Sequence, residues 1–243
     1  MELIWAGTSI STRLTNHYTK KGVICMATLN GNCFICGKTA GKTAIKNHVL
    51  KDHDNGDEKC YLLRAEGVYD KSFWLFFTVP IDASLTVVDK FLRNIWCECC
   101  GHLSAFSKGG SEFGKARKLS TLNVGDILLY EYDFGSTTEI ALIVVDEILR
   151  TKQREKVQLL ARNAPLDEKC DECGASALYV NIYEGVNYCN DCAENEEDDE
   201  MLMPITNSPR SGECGYDGGL DIWKFDPDKP FPQPLKPKAK KGA

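Results

Sequence analysis

No apolar stretch in this chain is long enough to cross a bilayer. The longest, such as Phe73–Ile81 (FWLFFTVPI), falls far short of the roughly 20 residues a spanning helix needs. Positive charge is not in excess either: 29 Lys and Arg stand against 35 Asp and Glu, a net −6 with a pI near 5.3. That balance excludes a surface that is basic throughout and confines any nucleic-acid contact to a local patch. Residues 1–25 lack the continuous apolar core and cleavage pattern of a secretory signal, so the chain reads as a soluble cytoplasmic protein with no membrane partner. Histidine is scarce, with four in 243 residues. No Ser-His-Asp or Cys-His-Asn set is legible, and His102, Glu131 and Asp133 are the only polar trio that could serve an enzyme acting on nucleic acid.

Cysteine, by contrast, is abundant. There are twelve, and in a reducing compartment closely spaced pairs bind metal more often than they form disulfides. Cys33-x2-Cys36-x11-His48-x4-His53 has nearly the spacing of a Cys2His2 finger. Two thiolates from a β-knuckle and two imidazoles one helical turn apart can converge tetrahedrally on one Zn²⁺, and Ile45 supplies a small apolar plug. The GKTAGKTA run inside this segment suggests a phosphate loop, but a Walker-type loop needs four residues between its first glycine and the Gly-Lys-Thr. Gly37 and Gly41 enclose three, so the run reads as the connection and first turn of the finger. Cys170-x2-Cys173-x15-Cys189-x2-Cys192 pairs two knuckles at a separation that suits a four-thiolate site, with a short hairpin turning near Glu184-Gly185. Both ligand sets are closed, so two structural Zn²⁺ per chain are expected. A third group, Cys97, Cys99, Cys100 and His102, has gaps too short for two knuckles and reads either as four ligands or as buried thiols.

The rest of the chain is organised around a core. Residues 57–166 carry alternating, β-rich stretches and one amphipathic helix, roughly 84–97, with Leu85, Val88, Leu92 and Ile95 on one face and Asp82 or Ser84 as candidate caps. EIALIVVDEIL is apolar on both faces, which suits a central strand. The expectation is an α+β fold with a mixed or antiparallel sheet of five to six strands and one main helix. Around it come an unstructured leader or over-called start (1–25, with Met26 as an alternative start), the finger (26–56), the four-cysteine zinc module (167–193), an acidic linker (194–200), a return segment packing on the core (201–225) and a disordered Pro/Lys tail (226–243).

Charge points to two partner classes. Lys38, Lys42 and Lys46, with Lys51 against Asp52, make the finger locally positive and fit sequence-blind phosphate contact. The customary base-reading positions fall near Gly41, Thr43, Ala44 and Asn47, which offer few bidentate donors. Residues 167–200 hold twelve acidic groups against Lys169 alone, a field that repels phosphate and favours protein contact.

The central region also resembles a known family. SLTVVDKFLRNIW and CGHLSAF, followed by KLSTLNVGDILLYEYDFGSTTEI, resemble the family named after an open reading frame of a root-inducing plasmid, also labelled an insertion-element passenger protein. The likeness lies in His102, Leu103 and Phe106 and in Tyr130, Tyr132, Asp133, Phe134 and Gly135, and covers about residues 60–162. It implies an α+β fold and a link to mobile elements, without a defined activity. STTE replaces the family's usual Asp-x-Trp-x-His after YDFG, so any role of that Trp or His does not carry over. The flanking cysteine modules lie outside the resemblance.

Overall fold

The computed structural model describes residues 29–196, 199–220, 224 and 225. The leader, the alternative start at Met26 and the Pro/Lys tail lie outside the described residues. No helix among those described is long and apolar enough to cross a membrane.

A nine-stranded antiparallel sheet forms the body. Its strands are β1 (Asn30–Cys33), β2 (Thr39–Gly41), β3 (Glu58–Gly67), β4 (Trp74–Pro80), β5 (Ser104–Lys108), β6 (Ser111–Glu112), β7 (Ile127–Tyr132), β8 (Thr138–Arg150) and β9 (Gln158–Asn163). Their spatial order is β2-β1-β9-β4-β3-β8-β7-β5-β6. The expected five to six strands are exceeded because the hairpin read as part of the finger pairs into the sheet: Gly31, Asn32 and Cys33 of β1 stand opposite Asn163, Arg162 and Ala161 of β9. A further short strand, β6, returns from β5 through Gly109 and Gly110, both at positive φ, as a tight hairpin turn requires.

Two helices cover opposite faces, and the pleat decides which residues each receives. On one face Leu63, Leu75, Phe77, Val79, Tyr130 and Tyr132 meet Leu85, Val88, Leu92, Ile95 and Trp96, from α2 (Leu85–Leu92) and the wider π turn Arg93–Cys97 that continues it. On the other, Cys60, Leu62, Trp74, Phe76, Ile148 and Leu160 meet Ile45 and Val49 of α1 (Lys42–Asp52). All seven residues of β4 are buried, as a central strand covered on both sides should be. The finger helix is therefore the second roof of the core, where a single main helix was expected.

Neither Asp82 nor Ser84 caps α2 with its side chain. Ser84 occupies the N-cap position without a side-chain bond, and the free N–H groups of Leu85 and Thr86 donate instead to the carbonyls of Arg117 and Lys115. A loop in trans thus meets the helix-end requirement that a cap normally satisfies.

A second, three-stranded sheet holds β10 (Tyr179–Asn181), β11 (Val186–Tyr188) and β12 (Leu202–Pro204) in the order β11-β10-β12. The β10–β11 hairpin turns at Ile182–Gly185, with Asn181 Oδ1 accepting from the N–H groups of Tyr183 and Glu184 and Gly185 at positive φ. After β12 the chain runs back across the core. Ser208 Oγ donates to the Trp96 carbonyl, Trp96 Nε1 donates to the Asn207 carbonyl, and Tyr216 is fully buried.

Candidate metal centres

Among the described residues, three groups of four side chains bring their ligand atoms within 4.8 Å of one another: Cys33, Cys36, His48 and His53; Cys170, Cys173, Cys189 and Cys192; and Cys99, Cys100, His102 and Cys214. Tetrahedral zinc with Zn–S near 2.3 Å and Zn–N near 2.0–2.1 Å sets ligand edges of about 3.8 Å for S···S, 3.6 Å for S···N and 3.3 Å for N···N. The observed separations can be measured against those edges.

In the first group Cys33 ends β1, and the Gly37 N–H donates to the Cys33 carbonyl across the knuckle, with Gly37 at φ 76°. A left-handed residue is needed there and glycine supplies it without strain. Helix α1 turns Ile45, His48 and Val49 inward together, and His53 follows at its C-terminal cap. Cys33 Sγ lies 3.5 Å from His53 Nε2, Cys36 Sγ 3.1 Å from His48 Nε2, and the two Nε2 atoms are 3.1 Å apart. The Cys33–His53 and His48–His53 separations fall close to those edges and the Cys36–His48 separation falls inside them, so the four side chains could hold one cation. His48 Nδ1–H donates to Asp52 Oδ2 at 2.6 Å, one turn on, which leaves Nε2 free as a ligand and orients the ring. That bond from His48 holds the Asp52 carboxyl below its ordinary range.

The second group is built by two Cys-x2-Cys turns, the first closed by a left-handed glycine and the second opening a short helix. Gly174, at φ 75°, donates its N–H to the Cys170 carbonyl, and Ala193 of α3 (Asn190–Ala193) donates to that of Cys189. Cys173 and Cys189 Sγ are 3.6 Å apart. Burial raises the Cys170 thiol, but the backbone N–H groups of Cys189, Cys173 and Glu172 outweigh it and bring it to about 6, while hydrogen bonds from the other three sulfurs push the Cys192 thiol up.

The third group differs from the expected one in a single member. Cys97 is fully buried in the α2-side core and burial pushes its thiol up, which suits a packing residue. Its place is taken by Cys214, whose Sγ lies 3.2 Å from His102 Nε2 across 112 positions of sequence. A lone cysteine without knuckle spacing gives no sign of this in the sequence. Asp133 Oδ1 stands 3.5 Å from His102 Nδ1, and Asp133 Oδ2 accepts from Arg210 Nη2 at 2.7 Å.

Of the polar trio, then, His102 and Asp133 meet, while Glu131, opposite Ala105 and Glu139 on β7, makes no hydrogen bond or ion pair with either among the described residues. A cleft of about 780 Å³ beside the β3–β4 connection is lined by Tyr69, Asp70, Glu139, Pro209, Ser211 and Glu213 among others, and by none of the trio.

No established protein family matches the chain, and no curated protein matches it. Among solved structures, a protein of unknown function from Methanosarcina mazei Go1 aligns over 49% of this chain and 76% of its own, at 20% identity and a TM-score of 0.39. A likeness of that strength carries no argument about function.

The lysines of the first group are not equivalent. Lys42 Nζ pairs with Glu66 Oε2 at 3.1 Å and donates to the Lys71 carbonyl, so its charge is spent within the fold. Lys38 and Lys51 are exposed and Lys46 partly so, while Thr43, Ala44 and Asn47 face outward between them. At the strand ends and turn of the second group's sheet, Leu178, Ile182, Tyr183 and Met201 are all exposed, Tyr183 by 86%.

Proposed function

We propose that this chain is a zinc-stabilised interaction protein without a catalytic role for its metals. A Cys2His2 site would join α1 to the sheet edge, and a four-cysteine site would hold the small sheet. The observation that carries this reading is closure. Each group offers four protein donors within 4.8 Å of one another, a full set for a four-coordinate ion that would leave no position for substrate or water, as in a structural site.

Protein is the favoured partner, and the four-cysteine module the contact. Its acidic field repels phosphate, and the exposed Leu178, Ile182, Tyr183 and Met201 supply apolar anchors on and beside the same module, a combination suited to a basic protein surface with an apolar centre. Nucleic-acid binding through Lys38 and Lys46 would be a weak, salt-sensitive second activity, with Lys42 engaged by Glu66. The likeness of residues 60–162 to the root-inducing-plasmid family, with its link to mobile elements, is retained on the residues that carry it. The rival reading, an enzyme acting on nucleic acid through His102, Glu131 and Asp133, is less well supported because Glu131 stands apart from the other two.

Metal analysis of the reduced full chain tests the premise. At least two zinc are expected, with Cys36→Ser and Cys173→Ser each losing one. Fewer than two in the unmutated chain would overturn the reading.

A further inference from the structure

We infer that Cys99, Cys100, His102 and Cys214 form a third zinc site, a clasp that fastens the return segment 205–220 to the end of α2. The four ligand atoms lie within the same mutual distance as those of the other two groups. Three thiolates and one imidazole are a closed, soft donor set that suits zinc.

Four independent features support the assignment. All four cysteines near this turn (Cys97, Cys99, Cys100 and Cys214) are free thiols. Cys99 and Cys100 are sequence neighbours, so their Cα atoms are about 3.8 Å apart, below the usual disulfide range; convergence on an ion is the arrangement that uses both. The imidazole is also oriented as a ligand's would be. His102 Nδ1 faces the Asp133 carboxylate and its Nε2 faces Cys214 Sγ, the carboxylate–histidine–metal relay found around zinc.

The surrounding charge fits as well. Three thiolates around Zn²⁺ carry a net −1, and Arg210, completely buried, directs Nη2 to Asp133 Oδ2 and to Cys99 Sγ at 3.5 Å. Its guanidinium cannot neutralise itself by losing a proton, so anions must face it. Last, Asp133 and Cys214 are the two non-glycine residues at positive φ among those described, at 64° and 47°. Such backbone is strained for a non-glycine residue and gathers at functional sites. At position 214 glycine would relieve the strain and forfeit the sulfur.

The clasp has mechanical sense. Asn207, Ser208 and Arg210 already anchor the first half of the return segment, whereas residues 211–215 run exposed or half-exposed, and Cys214 is the point at which an ion would close them onto the core.

The test is zinc counting on the reduced full chain, purified with zinc, beside Cys214→Ser, Cys100→Ser and, as an independent control, Cys192→Ser. The unmutated chain should hold three zinc. Cys214→Ser and Cys100→Ser should each hold one fewer, with amide exchange rising at least tenfold in 211–216 and unchanged in 170–192. Cys192→Ser should lose one ion while leaving 211–216 protected. Two zinc in the unmutated chain and no change in Cys214→Ser would overturn the clasp, and loss on Cys192→Ser would still leave the four-cysteine site standing. Mass spectrometry that finds Cys214 in a disulfide in freshly lysed cells would overturn it equally. Should Cys214→Ser unfold, Cys100→Ser decides by the same count.

Discussion

Asp89 is a buried carboxylate on α2 that accepts from Ser104 Oγ at 2.7 Å, Tyr130 OH at 2.9 Å and Lys115 Nζ at 3.0 Å. Tyr130 is completely buried, so deleting the carboxylate strands a phenol in the core and leaves a cation without its counter-charge. Asp89→Ala should cost about 2–4 kcal/mol, read as a lower urea midpoint at unchanged slope. Asp89→Asn keeps an acceptor for Tyr130 and should cost less; equal losses would assign the effect to charge alone. Asp126 makes a different kind of residue-scale prediction. Its Oδ2 accepts from Lys108 Nζ at 2.6 Å and from the Asn123 N–H at 2.9 Å, and the bond from Lys108 holds its carboxyl below 3.8. A folded-state pKa below the unfolded one adds stability at pH above about 4, and that stability is lost as pH falls through the folded value. Asp126→Asn should therefore lower stability at neutral pH and flatten its decline below pH 4, measured by denaturant melts across pH. Parallel acid limbs for the two proteins would contradict this.

At the scale of elements, the decisive seam is β1 against β9. A Cβ on Gly31 would overlap both the Arg162 carbonyl oxygen and the ring of Trp74, and a backbone atom cannot swing away. Gly31→Ala should cost about 1–3 kcal/mol and loosen the finger hairpin, seen as a lower melting temperature together with weaker zinc retention. Because α1 roofs one face of the sheet, metal removal should not act on the finger alone. Chelation is expected to raise amide exchange in 30–53 and in β9, where β1 pairs, and to leave 85–97 and β7 protected; uniform exchange throughout would mean the two faces do not open separately. This coupling was the part the sequence concealed. The knuckles were legible because ligand spacing is local: Cys-x2-Cys and a helical pair of histidines show themselves within twenty residues. The β10–β11 hairpin and α2 were legible too, from Glu184-Gly185 and from the period of Leu85, Val88, Leu92 and Ile95. But β1 reads NGNC, without apolar alternation, and its partner lies 130 positions away, so neither period nor propensity could join it to the sheet. Cys214 escaped for the same reason, since its ligand partners are over a hundred residues distant. The cap at α2 was misplaced because carbonyls of a distant loop do what Ser84 was expected to do.

Across the whole molecule charge is segregated, and this sets the terms for any nucleic-acid contact. The acidic residues 167–200 carry a net −11, whereas the finger surface offers Lys38, Lys46 and Lys51, with Lys42 engaged by Glu66. Each cation that neutralises a phosphate of duplex DNA contributes about −0.9 to the slope of log affinity against log salt. If Lys38 and Lys46 touch phosphate, Lys38→Ala/Lys46→Ala should shallow that slope by about 1.8, with affinity falling at low salt and converging with the unmutated protein as salt rises. Replacing Glu66 with Gln releases Lys42 and should steepen the slope by up to about 0.9, a gain that a merely structural lysine would not produce. Fluorescence anisotropy with a random-sequence duplex at several salt concentrations measures both changes. Identical slopes in all three proteins would remove Lys38, Lys42 and Lys46 from nucleic-acid binding and leave the proposed protein contact at the four-cysteine module as the reading to test.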